Sequence, residues 1–211
     1  MNSPFKILIV DDSEDDAELI VRKLSQDGIN LIYKRVETSK SFKNCLINES
    51  WDIVICDFII PGFGGLKALK ISKSINKDLP VIIVSGKIGE EMAVKAMKAG
   101  AQDYILKDNL SRLAPAIERE INEFKIRKKQ DIALKKSESI YKTIFENTGT
   151  ATVIINKEMY IEMVNTVFES LSGYKKDQIE GKIKFTEFTV EEDKDIIKII
   201  SIYFVFLYFF L

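Results

Sequence analysis

The sequence predicts an α/β fold for residues 5 to 107: a doubly wound sheet of five parallel strands with helices on both faces. Three observations predict it. Short β-branched apolar runs recur, stretches with helical spacing lie between them, and most of the runs are apolar throughout rather than alternating with polar residues. Alternation of the two textures argues for β–α–β units, and fully apolar strands suit a sheet buried on both sides.

The strands are expected at Phe5–Val10, Leu31–Val36, Ile53–Cys56, Val81–Val84 and Tyr104–Leu106, the second more polar than the rest. Ala17, Ile20, Val21 and Leu24 form one face of a first helix, and Phe42 with Leu46 mark a second. Leu66, Leu69 and Ile71 mark a third. Ala93, Ala96 and Met97 mark a fourth, closed by Gly100 at its C-cap.

From Leu110 the pattern becomes one long helix. Leu110, Leu113, Ile117, Ile121 and Phe124 recur at three- and four-residue steps, with Pro115 near the start, where proline is tolerated. The stripe breaks at Arg127–Asp131 and resumes around Ile140, Ile144 and Phe145. Residues 1–110 are thus read as one domain and residues 111–140 as a helical linker. That linker is either solvated with one packed face or pairs with a second copy to make a homodimer.

Composition bounds the function. The chain has 211 residues, enough for one large domain or two small ones, with 31 Lys and Arg against 32 Asp and Glu. Such a balance gives no electrostatic footing for nucleic acid, and no nucleic-acid partner is expected. Cys45 and Cys56 are the only cysteines and lack metal-ligand spacing, so reduced thiols in the cytoplasm are expected. The N-terminus lacks the charged-then-apolar pattern of a secretory leader. Histidine is absent, which removes imidazole metal sites, histidine general bases and a phosphohistidine within this chain. Any phosphoryl group must come from another molecule.

In an open α/β sheet the chemistry sits beyond the carboxyl ends of the strands. Asp11 and Asp12 follow the first expected strand, Asp57 the third, Ser85 the fourth and Lys107 the fifth. Gathering three carboxylates with a hydroxyl and an ammonium is costly without a counter-ion, and Mg²⁺ with its preference for oxygen ligands answers that cost. A carboxylate can attack phosphorus to form an acyl phosphate. Asp57 is the best nucleophile, alone on the middle strand ahead of the glycine-rich loop Phe58–Gly65, while the adjacent Asp11 and Asp12 are better metal ligands. Lys107 and Ser85 would meet charge on the transferred group. Taken singly, each residue has a plainer reading: a helix cap, a solvated strand end, a turn serine, a surface lysine.

Taken together, Ile7–Asp12, Asp57–Gly62, Val84–Gly86 and Asp103–Lys107 resemble the signature blocks of two-component response-regulator receivers, in order and at the family's spacing. The resemblance implies a flavodoxin-like fold, Asp57 as the phosphorylation site, Asp57, Ser85 and Lys107 as the catalytic group, and a histidine kinase as donor. It implies a Mg²⁺ site of Asp11, Asp12, Asp57 and the main-chain carbonyl of Ile59. Ser85 and Tyr104 would form the switch. Such a protein catalyses only its own phosphorylation and dephosphorylation. Asp108 departs from the pattern, which has proline after the lysine.

Residues 141–195 resemble the front half of a PAS sensor module, α+β in class. Tyr141–Glu146 leads in, two short strands are expected at Ala151–Ile155 and Tyr160–Val164 around a turn at Asn156–Glu158, and Thr166–Ser172 forms a helix ending at Gly173. Asn165 would pin the turn after the second strand. Lacking histidine and cysteine, this segment suits neither a histidine-ligated haem nor a flavin–thiol adduct. The apolar tail 196–211 is too short for a membrane span and carries Lys198; a buried helix and a frameshift product are the other readings, the last preferred. Two alternatives of other classes stand beside the phosphorelay reading: a remnant of a hybrid histidine kinase, and a receiver scaffold that works without phosphorylation.

Overall fold

The structure is a computed structural model and describes residues 3–86, 90–187 and 207–208. It divides into two compact units, residues 1–130 and 131–211.

In the first unit, β1 (Phe5–Val10), β2 (Leu31–Val36), β3 (Ile53–Asp57), β4 (Val81–Ser85) and β5 (Asp103–Leu106) form one parallel sheet in the order β2-β1-β3-β4-β5. The crossovers carry α1 (Glu14–Gln26), α2 (Ser39–Asn48), α3 (Gly65–Ile75) and α4 (Glu90–Lys98). Side chains alternate across the pleat, and this sorts the core into two layers. Ile7, Ile9, Ile53, Ile55, Ile82 and Val84 pack with α1 through Ala17, Ile20 and Leu24. Leu8, Val10, Val54, Cys56, Val81 and Ile83 pack on the other face with Phe42 of α2, Leu69 of α3 and Ala96 of α4. β2 is an edge strand with much of its length exposed, which explains its more polar sequence.

Caps set where the crossovers start. Ser13 accepts a hydrogen bond from Asp16 N at the head of α1, ahead of the acidic first turn Glu14–Asp16. Thr38 and Ser41 make a reciprocal capping box on α2. In α4 the expected face is only partly right: Ala96 is buried, whereas Met97 is largely exposed.

The largest departure from the sequence reading follows β5. Residues Lys107–Arg112 form a 3₁₀ turn with a non-helical Asn109, and α5 runs Leu113–Glu146. Leu113, Ile117 and Ile121 are fully buried in the same layer as α1, and Phe124 is buried in the other. The start of the expected 111–140 linker is therefore the last helix of the first unit. Its stripe is core, so a homodimer formed through Leu113, Ile117, Ile121 and Phe124 is excluded. The stripe was legible, but periodicity alone does not say whether a sheet or a second helix covers it.

In the second unit, β6 (Thr152–Ile155) and β7 (Ile161–Val164) pair antiparallel, and β8 (Leu207–Tyr208) pairs with β6 on its other side. α6 (Thr166–Ser172) and α7 (Lys176–Ile179) follow β7. Val153, Ile161, Val164, Phe168, Ile179 and Phe185 make its core. Asn165 is wholly buried and joins the pieces. Its Oδ1 accepts from Thr152 N and Phe168 N, and its Nδ2 donates to the carbonyls of Phe145 and Thr150. Gly173, at φ 77°, closes α6 in the left-handed conformation. Leu207–Tyr208 excepted, the expected tail 196–211 lies outside the described residues, as do residues 188–195. Among the described residues, no helix is long and apolar enough to cross a membrane.

Candidate functional site

Register assembles the site. Val10 lies opposite Cys56, Asp57 opposite Val84, and Ser85 opposite Leu106. One step further along these parallel strands, Asp11, Asp57, Ser85 and Lys107 emerge at the same edge of the sheet. The order reverses between β1 and β3, since one crossover leads to β2 and the next to β3, so a crevice opens where Asp11 and Asp57 stand.

Asp11 is buried, with Oδ1 accepting from Ser13 N at 2.9 Å. Asp12, next to it, is exposed. Carboxylate oxygens of Asp11, Asp12 and Asp57 lie within 4.8 Å of one another, close enough to ligate one cation. Lys107 Nζ stands among them, 3.0 Å from Asp11 Oδ2 and 3.4 Å from Asp57 Oδ2. Ile59 N donates to Asp57 Oδ1 at 3.4 Å, which ties the loop after β3 to the carboxylate. Ser85 is fully buried, and among the described residues its hydroxyl has no hydrogen-bond partner. The Tyr104 hydroxyl is likewise enclosed and without a partner among the described residues.

A response regulator receiver domain family match covers residues 7–118. The chain belongs to the response regulator receiver family.

The receiver is 33% identical over 105 residues to the phosphate regulon transcriptional regulatory protein PhoB of Klebsiella pneumoniae, covering 48% of this chain and 44% of that protein. The chain thus spans less than half the length of the curated relative it matches. A solved receiver domain protein from Clostridium thermocellum is 31% identical, with a TM-score of 0.51 over 58% of this chain and 98% of the other. A CheY-like receiver from Methanospirillum hungatei is 25% identical, with a TM-score of 0.52 over 59% and 99%. One relative is by name a transcriptional regulator, so charge balance is no ground for setting nucleic acid aside. The family match also ends at residue 118, inside α5, past the expected boundary at 110.

Electrostatics follow from this packing. Burial pushes the Asp57 carboxyl above its usual range, Lys107 pulls it back, and the Asp11 charge pushes it up again. Burial alone would lower the Lys107 ammonium, but its hydrogen bonds to Asp16 and Asp11 hold it well above the ordinary lysine value. Tyr104 is raised by burial, with the neighbouring Ser85 hydroxyl acting the other way and the Asp57 charge adding to the rise. Ser85 and Tyr104 are therefore close enough for each hydroxyl to sense the other.

Three residues of this receiver escaped the sequence reading. Asp16 Oδ2 lies 2.6 Å from Lys107 Nζ. It sits in the acidic first turn of α1, a pattern that reads as dipole compensation until the helix phase is known. Arg35 on β2 donates from Nη1 to the Asp11 carbonyl at 2.9 Å and also meets Glu37. Only the β1–β2 register reveals it. Gly65 opens α3 directly behind Asp57: a Cβ there would lie 2.9 Å from the Asp57 carbonyl oxygen and from Phe58 Cα. The glycine-rich loop was visible in the sequence, but not which glycine admits that approach.

Proposed function

We propose that this receiver takes a phosphoryl group onto Asp57 from the phosphohistidine of a separate histidine kinase, in the cytoplasm, with Mg²⁺ held by Asp11, Asp12 and Asp57. The observation that carries the reading is the meeting of three carboxylates with the Lys107 ammonium at the end of the sheet where Ser85 also lies, its hydroxyl without a partner among the described residues. The donor set is all oxygen and partly buried, which fits a hard divalent cation, and the main-chain carbonyl of Ile59 would complete it. When bound, the ion neutralises charge and orients a phosphoryl oxygen.

Asp57 attacks phosphorus while the P–N bond of the donor breaks. The electron pair leaves with the imidazole, which picks up a proton from solvent, and an acyl phosphate remains. Lys107 balances the charge on the transferred oxygens, and Ser85 donates a hydrogen bond to one of them. Hydrolysis of the P–O bond later returns the carboxylate and inorganic phosphate. These two steps on itself are the protein's whole chemistry. With the Tyr104 hydroxyl already enclosed beside Ser85, any displacement of Ser85 is felt by Tyr104 at once, and the two form the switch.

The second unit is read as the front half of a PAS module that receives the signal through α5. Support comes from the β6–β7 hairpin, the α6 helix capped by Asn165, and the buried Asn165 network. Intact-mass spectrometry after incubation with acetyl phosphate tests the phosphoacceptor reading. One phosphate adduct is expected with Mg²⁺ and none with EDTA; an adduct of equal yield in EDTA refutes the metal-dependent mechanism.

A further inference from the structure

We propose that Arg35 is a positioning residue for the metal-ligand pair, holding the main chain of Asp11 and Asp12 in the orientation that Mg²⁺ needs. The proposal rests on the phosphoacceptor reading of the site. Arg35 lies on the edge strand β2 opposite Ile9, two residues before Asp11. From there its Nη1 donates to the main-chain carbonyl of Asp11 at 2.9 Å and to that of Asp12 at 3.4 Å.

Those two carbonyls belong to successive peptide planes. The Asp11 carbonyl lies in the plane joining Asp11 to Asp12, and the Asp12 carbonyl in the plane joining Asp12 to Ser13. Only the two backbone dihedrals of Asp12 lie between the planes, so a group that grips both carbonyls restricts them. The direction of the Asp12 side chain follows. Such a hold matters because the β1–β2 ladder gives out here: among the described residues its last hydrogen bond runs from Asp11 N to Val36 O, at 3.1 Å. Asp11 is also fixed through its buried carboxylate, by Ser13 N and by Lys107. Asp12 is exposed, and an exposed ligand at a strand end is the one that most needs a tether.

The guanidinium is itself held. Its Nη1 meets Glu37 Oε2 at 3.1 Å, and the Arg35 side chain is only 27% exposed. A planar guanidinium presents its N–H groups in a fixed fork and loses less freedom per hydrogen bond than a lysine ammonium would. Arg35 meets carbonyls where Lys107 meets carboxylates, so it does not compete with a cation for the ligand oxygens. Groups that touch the ligands rather than the metal commonly set metal affinity by orienting them.

Calorimetric titration of Mg²⁺ into the full chain tests the clamp. Arg35→Ala should bind Mg²⁺ about tenfold more weakly, the low end of what a lost orienting contact costs a metal site. The half-saturating Mg²⁺ for loading by acetyl phosphate should rise by the same factor. A role through charge alone predicts the opposite sign, since removing a cation beside three carboxylates draws Mg²⁺ in more tightly. Arg35→Lys keeps the charge without the fork and should bind about threefold more weakly than the native chain; it carries the test if Arg35→Ala does not fold. Native affinity in Arg35→Lys, or unchanged or tighter binding in Arg35→Ala, overturns the clamp and leaves the phosphoacceptor reading standing. A native chain that binds no Mg²⁺ overturns both.

Discussion

Lys107 Nζ lies 2.6 Å from Asp16 Oδ2 but 3.4 Å from Asp57 Oδ2. The ammonium expected to serve the phosphoryl group is thus drawn toward α1 by a carboxylate outside the metal-ligand set. Asp16→Asn should release it toward Asp57. Acetyl phosphate should then load Asp57 about two- to fivefold faster, the scale of a partly exposed ion pair. An unchanged or slower rate contradicts this restraint.

Lys107 and the three clustered carboxylates also compete for charge. Removing the ammonium leaves Asp11 and Asp57 without their cation, so Lys107→Ala should bind Mg²⁺ more tightly while transferring phosphoryl more slowly. Asp12→Ala should weaken Mg²⁺ by removing a ligand. Calorimetric titration separates the two. Trp51 precedes β3 at the end opposite Asp57 and makes its hydrogen bond to the Cys45 carbonyl, so its fluorescence is a poor reporter. Equal losses of affinity in both variants would defeat this division of roles.

Asp57 titrates above its ordinary value because burial and the Asp11 charge disfavour the carboxylate. A raised folded pKa contributes stability that is fully present below the unfolded pKa and lost as pH rises through the folded one. Metal-free protein should therefore lose part of its stability as pH rises from the usual aspartate range upward. Asp57→Asn should raise stability at neutral pH and change it little below the unfolded aspartate pKa. Urea melts at the two pH values check it, and a variant equally stabilised at both would be inconsistent.

Ile117 is fully buried beneath the sheet. Ile117→Ala should cost about 2–5 kcal/mol of stability through the lost contacts and the cavity left behind. It should leave the association constant of the folded chain unchanged. A surface role predicts the reverse, a stable protein with altered association, and chemical denaturation with sedimentation distinguishes them.

Much of the receiver was legible because its strands are buried on both faces: runs such as Ile7–Val10 and Val81–Val84 carry their own signal, and acidic or hydroxyl residues at their ends fall at one sheet edge. What the sequence left open was three-dimensional in kind. Arg35 reaches Asp11 only through the register of an exposed edge strand, and Asp16 faces Lys107 only once the phase of α1 is fixed by Ala17, Ile20 and Leu24. The apolar spacing of Leu113–Phe124 signalled a packed helix without naming its partner. Asn165 was readable as a turn residue, whereas its bond to the Phe145 carbonyl, twenty residues back, was not.

On the proposed mechanism Asp57 carries the phosphoryl group as an acyl phosphate. Borohydride reduces an acyl phosphate to an alcohol, so trapping after acetyl phosphate and Mg²⁺ should convert Asp57, and no other carboxylate, to homoserine in the peptide spanning β3. Asp57→Asn should give no reduced product. Reduction at Asp11 or Asp12, or a phosphate that resists borohydride and maps to a hydroxyl side chain, would show that Asp57 is not the acceptor.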